Sequence, residues 1–272
     1  MSNFERDTAV EVCDDDGRYK ANLSKRWEIW GPNGGYLAAI ALRAAGKFSP
    51  GFSPVSFYCQ YLNTAKFESV DIQIISLKST KVATALDIVV SQDGKSILKA
   101  QTWLSIDLPG YEHDYIEKPN NWQKQTETEA DDDINHYGYN FWNNFLKKPV
   151  MPMQFEKKEG RIPRFSSWFR FEPDFEISDA FVDAARSLVL IDTLQWPAVY
   201  RSYGPGKMAY VAPSLDLAVQ FHSSSQDSSW LFCDAFGDYA HRGVIAGNAT
   251  VWNEQGQLIA SGHSQSLCRK ID

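Results

Sequence analysis

Cysteine is scarce. The 272 residues hold four, Cys13, Cys59, Cys233 and Cys268, with no CxxC pair and no histidine at ligand spacing. That argues against a zinc site or a thioredoxin-type motif and leaves reduced thiols packing as small hydrophobes. Positive charge is not in excess either. Lys and Arg number 27 against 34 Asp and Glu, for a net charge of −7, and a nucleic-acid partner normally needs a basic face. No apolar run approaches the ~18 residues of a bilayer span. The opening MSNFERDTAVEVCDDDG is acidic, where a secretory leader needs a positive start and an apolar middle. A cytoplasmic protein without membrane contact is expected. There is no GxSxG nucleophile elbow, and GPNGG lacks the GK[ST] of a phosphate loop. No metal and no bound cofactor is implied. Against these absences stand 43% hydrophobic and 14% aromatic residues, enough for a packed core in one large domain or two small ones.

The chain repeats itself. In the first half, GPNGGYLAAIALRAAG (31–46) reads as a helix, followed by strand-like PVSFYCQYLNTA, VDIQIISLKST and KVATALDIVVSQDGKSILKAQTWLSI. In the second half, DAARSLVLIDTLQWPAVY (183–200) reads as a helix, followed by APSLDLAVQFHSS, SSWLFCDAFGD and RGVIAGNATVWNEQGQLIASGHSQSLCR. Pro54 and Pro213 are 159 apart, and the turn glycines Gly94 and Gly256 are 162 apart. A period this long indicates a duplicated domain rather than a solenoid. The strands alternate with period two around Gly-containing turns. Both helices are apolar nearly all round, so each must be wrapped by a sheet. The expected division is 1–108, an acidic connecting segment 109–148, and 149–272. The connector reads as a surface stretch with a helix near Tyr139–Leu146, and Asp131–Asp133 as solvated charge. Two strands should open the second half, near 151–158 and 164–172.

Several residues stand out for their chemistry. Asp192 lies in the apolar stretch SLVLIDTLQW, where a carboxylate must be bonded, paired or protonated. The 159-residue offset makes Asn33 its copy in the first half. Asp192 either holds a neighbouring amide or reacts. Gly34 and Gly35 open a helix whose first amides could stabilise an oxyanion, or they serve only close packing. Tyr239, His241 and Arg242 could meet phosphates or simply form a solvated hairpin end. The tryptophans, among them Trp27, Trp30, Trp168, Trp196 and Trp230, could line a channel or pack the core.

GPNGGYLAAIALRAA, PVSFYCQYLN, APSLDLAVQFH, RGVIAGNATVWNEQGQLIASG and the closing QSLCR resemble the acyl-CoA thioesterase II-like family. The resemblance covers nearly all the chain except 107–150. It implies an α+β double hotdog: two tandem units, each with a long helix wrapped by an antiparallel sheet, the sheets joined edge to edge and the helices on one side. It further implies an acyl-CoA substrate, a site between the halves, and possible homo-oligomers. The family's essential Asp matches Asp192, and its Thr or Ser matches Ser214. Its last-strand Gln matches Gln265 only with a one-residue slip; in strict register the residue is Ser264. A slip of one turns a strand side chain to the other face, so either a bulge restores Gln265 or Ser264 replaces it. His263 would share the face of Gln265 and is a second candidate base. On this reading Asp192, Ser214 and Gln265 activate a water, while Asn33, Gly34, Gly35, Ser264, His263 and Arg242 contact substrate. The alternatives are an enoyl-thioester hydratase or dehydratase, which wants an Asp–His pair, and a non-catalytic acyl-thioester binding protein.

Overall fold

A computed structural model describes residues 3–14, 16–127, 138–150, 162–203 and 209–271. In the first half, helix α1 (Asn3–Asp7) and strands β1 (Glu11–Val12) and β2 (Arg18–Asn22) precede helix α2 (Gly34–Phe48) and strands β3 (Ser53–Tyr61), β4 (Ser69–Ser79), β5 (Ala83–Gln92) and β6 (Lys95–Ser105). In the second, β7 (Phe145–Pro149) and β8 (Arg164–Phe171) precede α3 (Ala180–Ser202). The strands β9 (Tyr210–Val211), β10 (Ser214–Phe221), β11 (Trp230–His241), β12 (Val244–Trp252), β13 (Leu258–Leu267) and β14 (Arg269–Lys270) follow.

The duplication is visible in the strand order. One antiparallel sheet runs β1-β2-β4-β5-β6-β3-β10-β13-β12-β11-β8-β7. Read from its centre outward, each half repeats the same sequence of strands. The halves join where β3 pairs with β10, Cys59 opposite Leu217 and Phe57 opposite Val219. The turn glycines Gly94 and Gly256 both carry positive φ, 74° and 78°, as their hairpin ends require.

Helix α2 starts where Asn33 accepts from the Tyr36 amide at 2.9 Å, an N-cap bond that satisfies one of the helix's unpaired donors. From Gly35 to Ala45 every residue of α2 is buried. Fully burying a side chain such as Ile40 or Leu42 contributes about 1.5–3 kcal/mol. The one cation in this run, Arg43, is satisfied by the Glu5 carbonyl and the Thr8 hydroxyl of the N-terminal segment. Helix α3 lies against α2 on the same face of the sheet. At their crossing a Cβ on Gly35 would stand 2.6 Å from Val189 Cα, so only glycine permits this approach.

The connecting stretch is more than a surface loop. Phe141 and Trp142 are buried, and Asn140–Asn144 form a 3-10 turn rather than the expected α-helix. The aromatic run YNFWNNF gains more by packing around Trp27 than by staying wet. Strand β7, at the end of that run, already pairs with β8. Residues near 118–123 cover the outer face of the second half: the Trp168 indole donates to the Gln123 carbonyl, and Trp122 packs near Trp168. The strand expected at 151–158 and the Asp131–Asp133 run lie outside the described residues. Among the described residues, no helix is long and apolar enough to cross a membrane.

Candidate active site

The two central strands and the two helices bring four polar groups to one place. Asp192 comes from the middle of α3, Ser214 from the first residue of β10, Tyr61 from the end of β3, and Gly34 and Gly35 from the start of α2. All but Gly35 border a cavity of ≈ 390 Å³. Its apolar walls include Trp30, Trp142, Trp196 and Tyr200, and Arg269 of β14 stands on its rim. Trp30 and Trp196 therefore belong to the cavity, while Trp27, Trp168 and Trp230 are core.

Asp192 is buried against the first turn of α2. Its Oδ2 accepts from the Gly35 amide at 2.8 Å, so the carboxylate meets the positive end of the helix dipole. Burial pushes its pKa up to about 6, against the lowering pull of the Ser214 hydroxyl, the Gly35 amide and the Tyr61 phenol. Neither hydroxyl is in full bonding geometry: Asp192 Oδ1 and Tyr61 Oη are both buried with no hydrogen-bond partner. Among the described residues no basic side chain forms an ion pair with Asp192. A carboxylate with one fixed oxygen, one unpaired oxygen and a pKa raised toward neutrality is suited to taking a proton.

Three expectations about this corner need correction. The Gly35 amide is already bonded to the carboxylate, so it is not free for a substrate oxygen. Close packing and anion binding, posed as alternatives for the glycines, both hold at Gly35. Asn33 and Asp192, paired by the repeat offset, do not occupy equivalent places in the two helices. Asn33 caps α2, whereas α3 is capped by Asp179 and Asp192 lies about three and a half turns further on. Asn33 instead reaches across the helix pair to the neighbour of Asp192, its side-chain amide donating to the Thr193 hydroxyl at 3.0 Å.

The last strand differs from expectation as well. Gln265 and His263 are exposed and share the outer face of β13, away from Asp192. The Gln265 amide N–H donates to Asp216 on that face. Ser264 is buried on the inner face, yet its hydroxyl donates to Gln195 of α3 at 2.8 Å, away from the cavity lining. The residues of β13 that do border the cavity are Ser266 and Leu267. Near this site a bulge does occur, but in the neighbouring strand. Ser214 pairs with Ser266 while Asp216 pairs with Gln265, leaving Leu215 extra. Without it Ser214 would share the outer face of Asp216; the bulge turns it inward. Gln265→Ala is therefore expected to change kcat/KM less than about twofold, as for other exposed substitutions; a thiol-release assay checks this.

Arg242 is likewise absent from the cavity lining. It has positive φ in the two-residue turn between β11 and β12 and is exposed there. The structure brings together Asp192, Ser214, Asn33 and Gly34, and leaves Gln265, Ser264, His263 and Arg242 outside the lining. Sequence reasoning missed Tyr61, Ser266 and Arg269. Tyr61 and Ser266 could have been flagged by alternation once the inner face was known.

Comparison with known proteins supports this placement of the chain. The acyl-CoA thioesterase N-terminal domain model matches residues 23–105, and the acyl-CoA thioesterase C-terminal domain model matches residues 120–268. A hot dog fold protein of unknown function from Alicyclobacillus acidocaldarius superposes with a TM-score of 0.84, at 16% identity over 100% of both chains. An acyl-CoA thioesterase II from Mycobacterium marinum superposes with a TM-score of 0.78, at 14% identity over 99% of both. A tesB protein from Mycobacterium avium subs paratuberculosis gives 0.76, at 17% identity over 98% of both. No curated protein matches the sequence. The fold is a double hotdog, and with two adjacent blocks of the sequence matched to its two halves, the chain belongs to the acyl-CoA thioesterase family and is a thioester hydrolase.

Proposed function

We propose that the chain hydrolyses an acyl-CoA thioester with Asp192 as general base and Ser214 as the hydroxyl that holds the attacking water. The acyl group lies in the aromatic-walled cavity. Water attacks the thioester carbonyl and its proton passes to Asp192. The tetrahedral intermediate then breaks its C–S bond, and the proton ends on the departing thiol. No covalent acyl-enzyme is involved. A hydroxyl can both donate and accept, so Ser214 can orient a water toward Asp192 and toward the substrate at once. The observation that carries this reading is the buried Asp192 carboxylate on the cavity wall, with Oδ2 fixed by α2 and Oδ1 buried without a hydrogen-bond partner.

The hydratase reading finds no support among the described residues: His263 faces away from the site, and no described histidine lines the cavity. The binding-only reading predicts ligand-dependent thermal stabilisation without thiol release. A screen of acyl-CoA chain lengths for free thiol tests the proposal; no release from any of them would overturn it. Ser214→Ala is expected to lower kcat by about 10- to 100-fold, the equivalent of one hydrogen bond to a charged or reacting group. Single-turnover kinetics would show whether that loss falls on the chemical step.

A further inference from the structure

Hydrolysis as proposed leaves the Tyr61 phenol without a task, although it is the most unusual group in the site. Its oxygen is buried and has no hydrogen-bond partner. A buried hydroxyl left unpaired costs about 1–3 kcal/mol, which makes such a group rare and in need of a reason. The same corner holds a second orphan, Asp192 Oδ1. One lacks an acceptor and the other lacks a donor. Gly34 leaves room for the two side chains to lie side by side: a Cβ there would stand 3.1 Å from Tyr61 Oη and 2.8 Å from Asp192 Oδ2, the other oxygen of the same carboxyl. Any other residue at 34 would push into both side chains.

We propose that Tyr61 is a positioning residue whose phenolic proton closes onto one lone pair of Asp192 Oδ1, holding the carboxylate ionised and in one rotamer and leaving the second lone pair of that oxygen to take the water's proton. The inference rests on Asp192 being the base. Burial, reinforced by the neighbouring Asp192, pushes the phenol's own ionisation well above its ordinary range, so it keeps its proton and can only donate to a carboxylate. The other groups around Asp192 do not replace it. Strand β10 contributes the Ser214 hydroxyl, which lowers the carboxyl's pKa, and Asp216, which raises it. Strand β3 also contributes Cys59, whose thiol is held neutral by burial. Helix α2 contributes the Gly35 amide, already used on Oδ2. On α3, Thr193 is taken by Asn33. Arg269 stands on the cavity rim without an ion pair to Asp192 among the described residues.

The test is Tyr61→Phe, which keeps the ring and removes the oxygen. Losing a donor to the ionised form raises the pKa of the acid, so the acidic limb of kcat/KM against pH should move up by about one unit. The loss of activity should then be about tenfold greater at pH 5 than at pH 8. A purely structural role would lower the whole profile evenly and leave the limb in place, and that result would overturn the proposal. Gly34→Ala, which crowds the Tyr61 phenol and the Asp192 carboxyl together, should move the limb in the same direction and serves if the phenylalanine variant folds poorly. The Asp192 carboxyl can also be titrated directly by carbon NMR of aspartate-labelled protein, assigned with Asp192→Asn. That readout needs no turnover. An unshifted Asp192 titration in Tyr61→Phe refutes the contact itself, whereas absence of thiol release from the wild type refutes the hydrolysis and leaves the contact measurable.

Discussion

Asp192→Asn is expected to lose activity by about 10²- to 10⁴-fold, the usual contribution of a positioned general base, and yet to be more stable than the wild type at neutral pH. The carboxyl's pKa is 3.8 when unperturbed and about 6 in the fold, chiefly through burial. The folded chain therefore binds this proton more tightly than the unfolded chain. Below about pH 4 the group is protonated in both states and costs nothing. As pH rises through 4 to 6 it ionises more readily in the unfolded chain, and stability falls. Above pH 6 the full cost is present, about 3 kcal/mol for a shift of about two units. Asparagine removes the charge but keeps the shape. Its carbonyl can accept from Gly35, and its NH₂ can donate toward the hydroxyls of Ser214 and Tyr61. Thermal unfolding should show the variant several degrees higher at pH 8, at about 2–4 °C per kcal/mol for chains of this size, and equal at pH 4. Superimposable curves for the two proteins at every pH, or a variant that still turns over at the wild-type rate, would contradict the assignment of Asp192 as a buried base. Wild-type activity should decline as pH falls below about 6, where the base becomes protonated.

Gly35→Ala should be the most disruptive small substitution in the first half. The added carbon would lie 2.6 Å from Val189 Cα and 2.8 Å from the Leu188 carbonyl oxygen. Both are backbone atoms in the middle of α3, so neither can rotate out of the way. Alanine favours a helix interior over glycine by about 1 kcal/mol, but overpacking of this kind costs about 1–3 kcal/mol and occasionally more. The net expectation is a loss of about 1 kcal/mol in urea unfolding, up to about 2 kcal/mol where α3 yields least. Activity should fall as well, because separating the helices withdraws the Gly35 amide from Asp192. Gly110→Ala is the matched control. It faces open space with no positive φ and should stay within about 0.5 kcal/mol of the wild type. Equal midpoints for the two variants would show that α2 and α3 adjust freely, against the close approach seen here.

Much of the architecture was legible because it follows from local patterns. Period-two alternation, turn glycines and two apolar helices at a near-constant offset were enough to predict a duplicated helix-and-sheet unit. The sheet order β6-β3-β10-β13 realises it with the copies paired through their equivalent strands. Asp192 was legible for a similar reason: a carboxylate in an apolar helix needs an explanation wherever that helix goes. The residues around it were harder to read. Strand faces depend on counting, and counting fails at a bulge. The extra Leu215 brings Ser214 inside, while β13, regular from Ala260 to Gln265, keeps Gln265 and His263 outside. Tyr61 reads in sequence as one more strand aromatic, and its significance comes from a glycine on another element.

The sequence by itself determined the two-copy organisation, the wrapped helices and the presence of one costly buried acid, since each depends on periodicity or hydrophobicity within a short stretch of chain. Only the tertiary structure decided which groups surround that acid. Their encounter requires a bulge in β10, two helices close enough to need glycine, and a β3–β10 pairing across the halves, and none of these is encoded within a single segment.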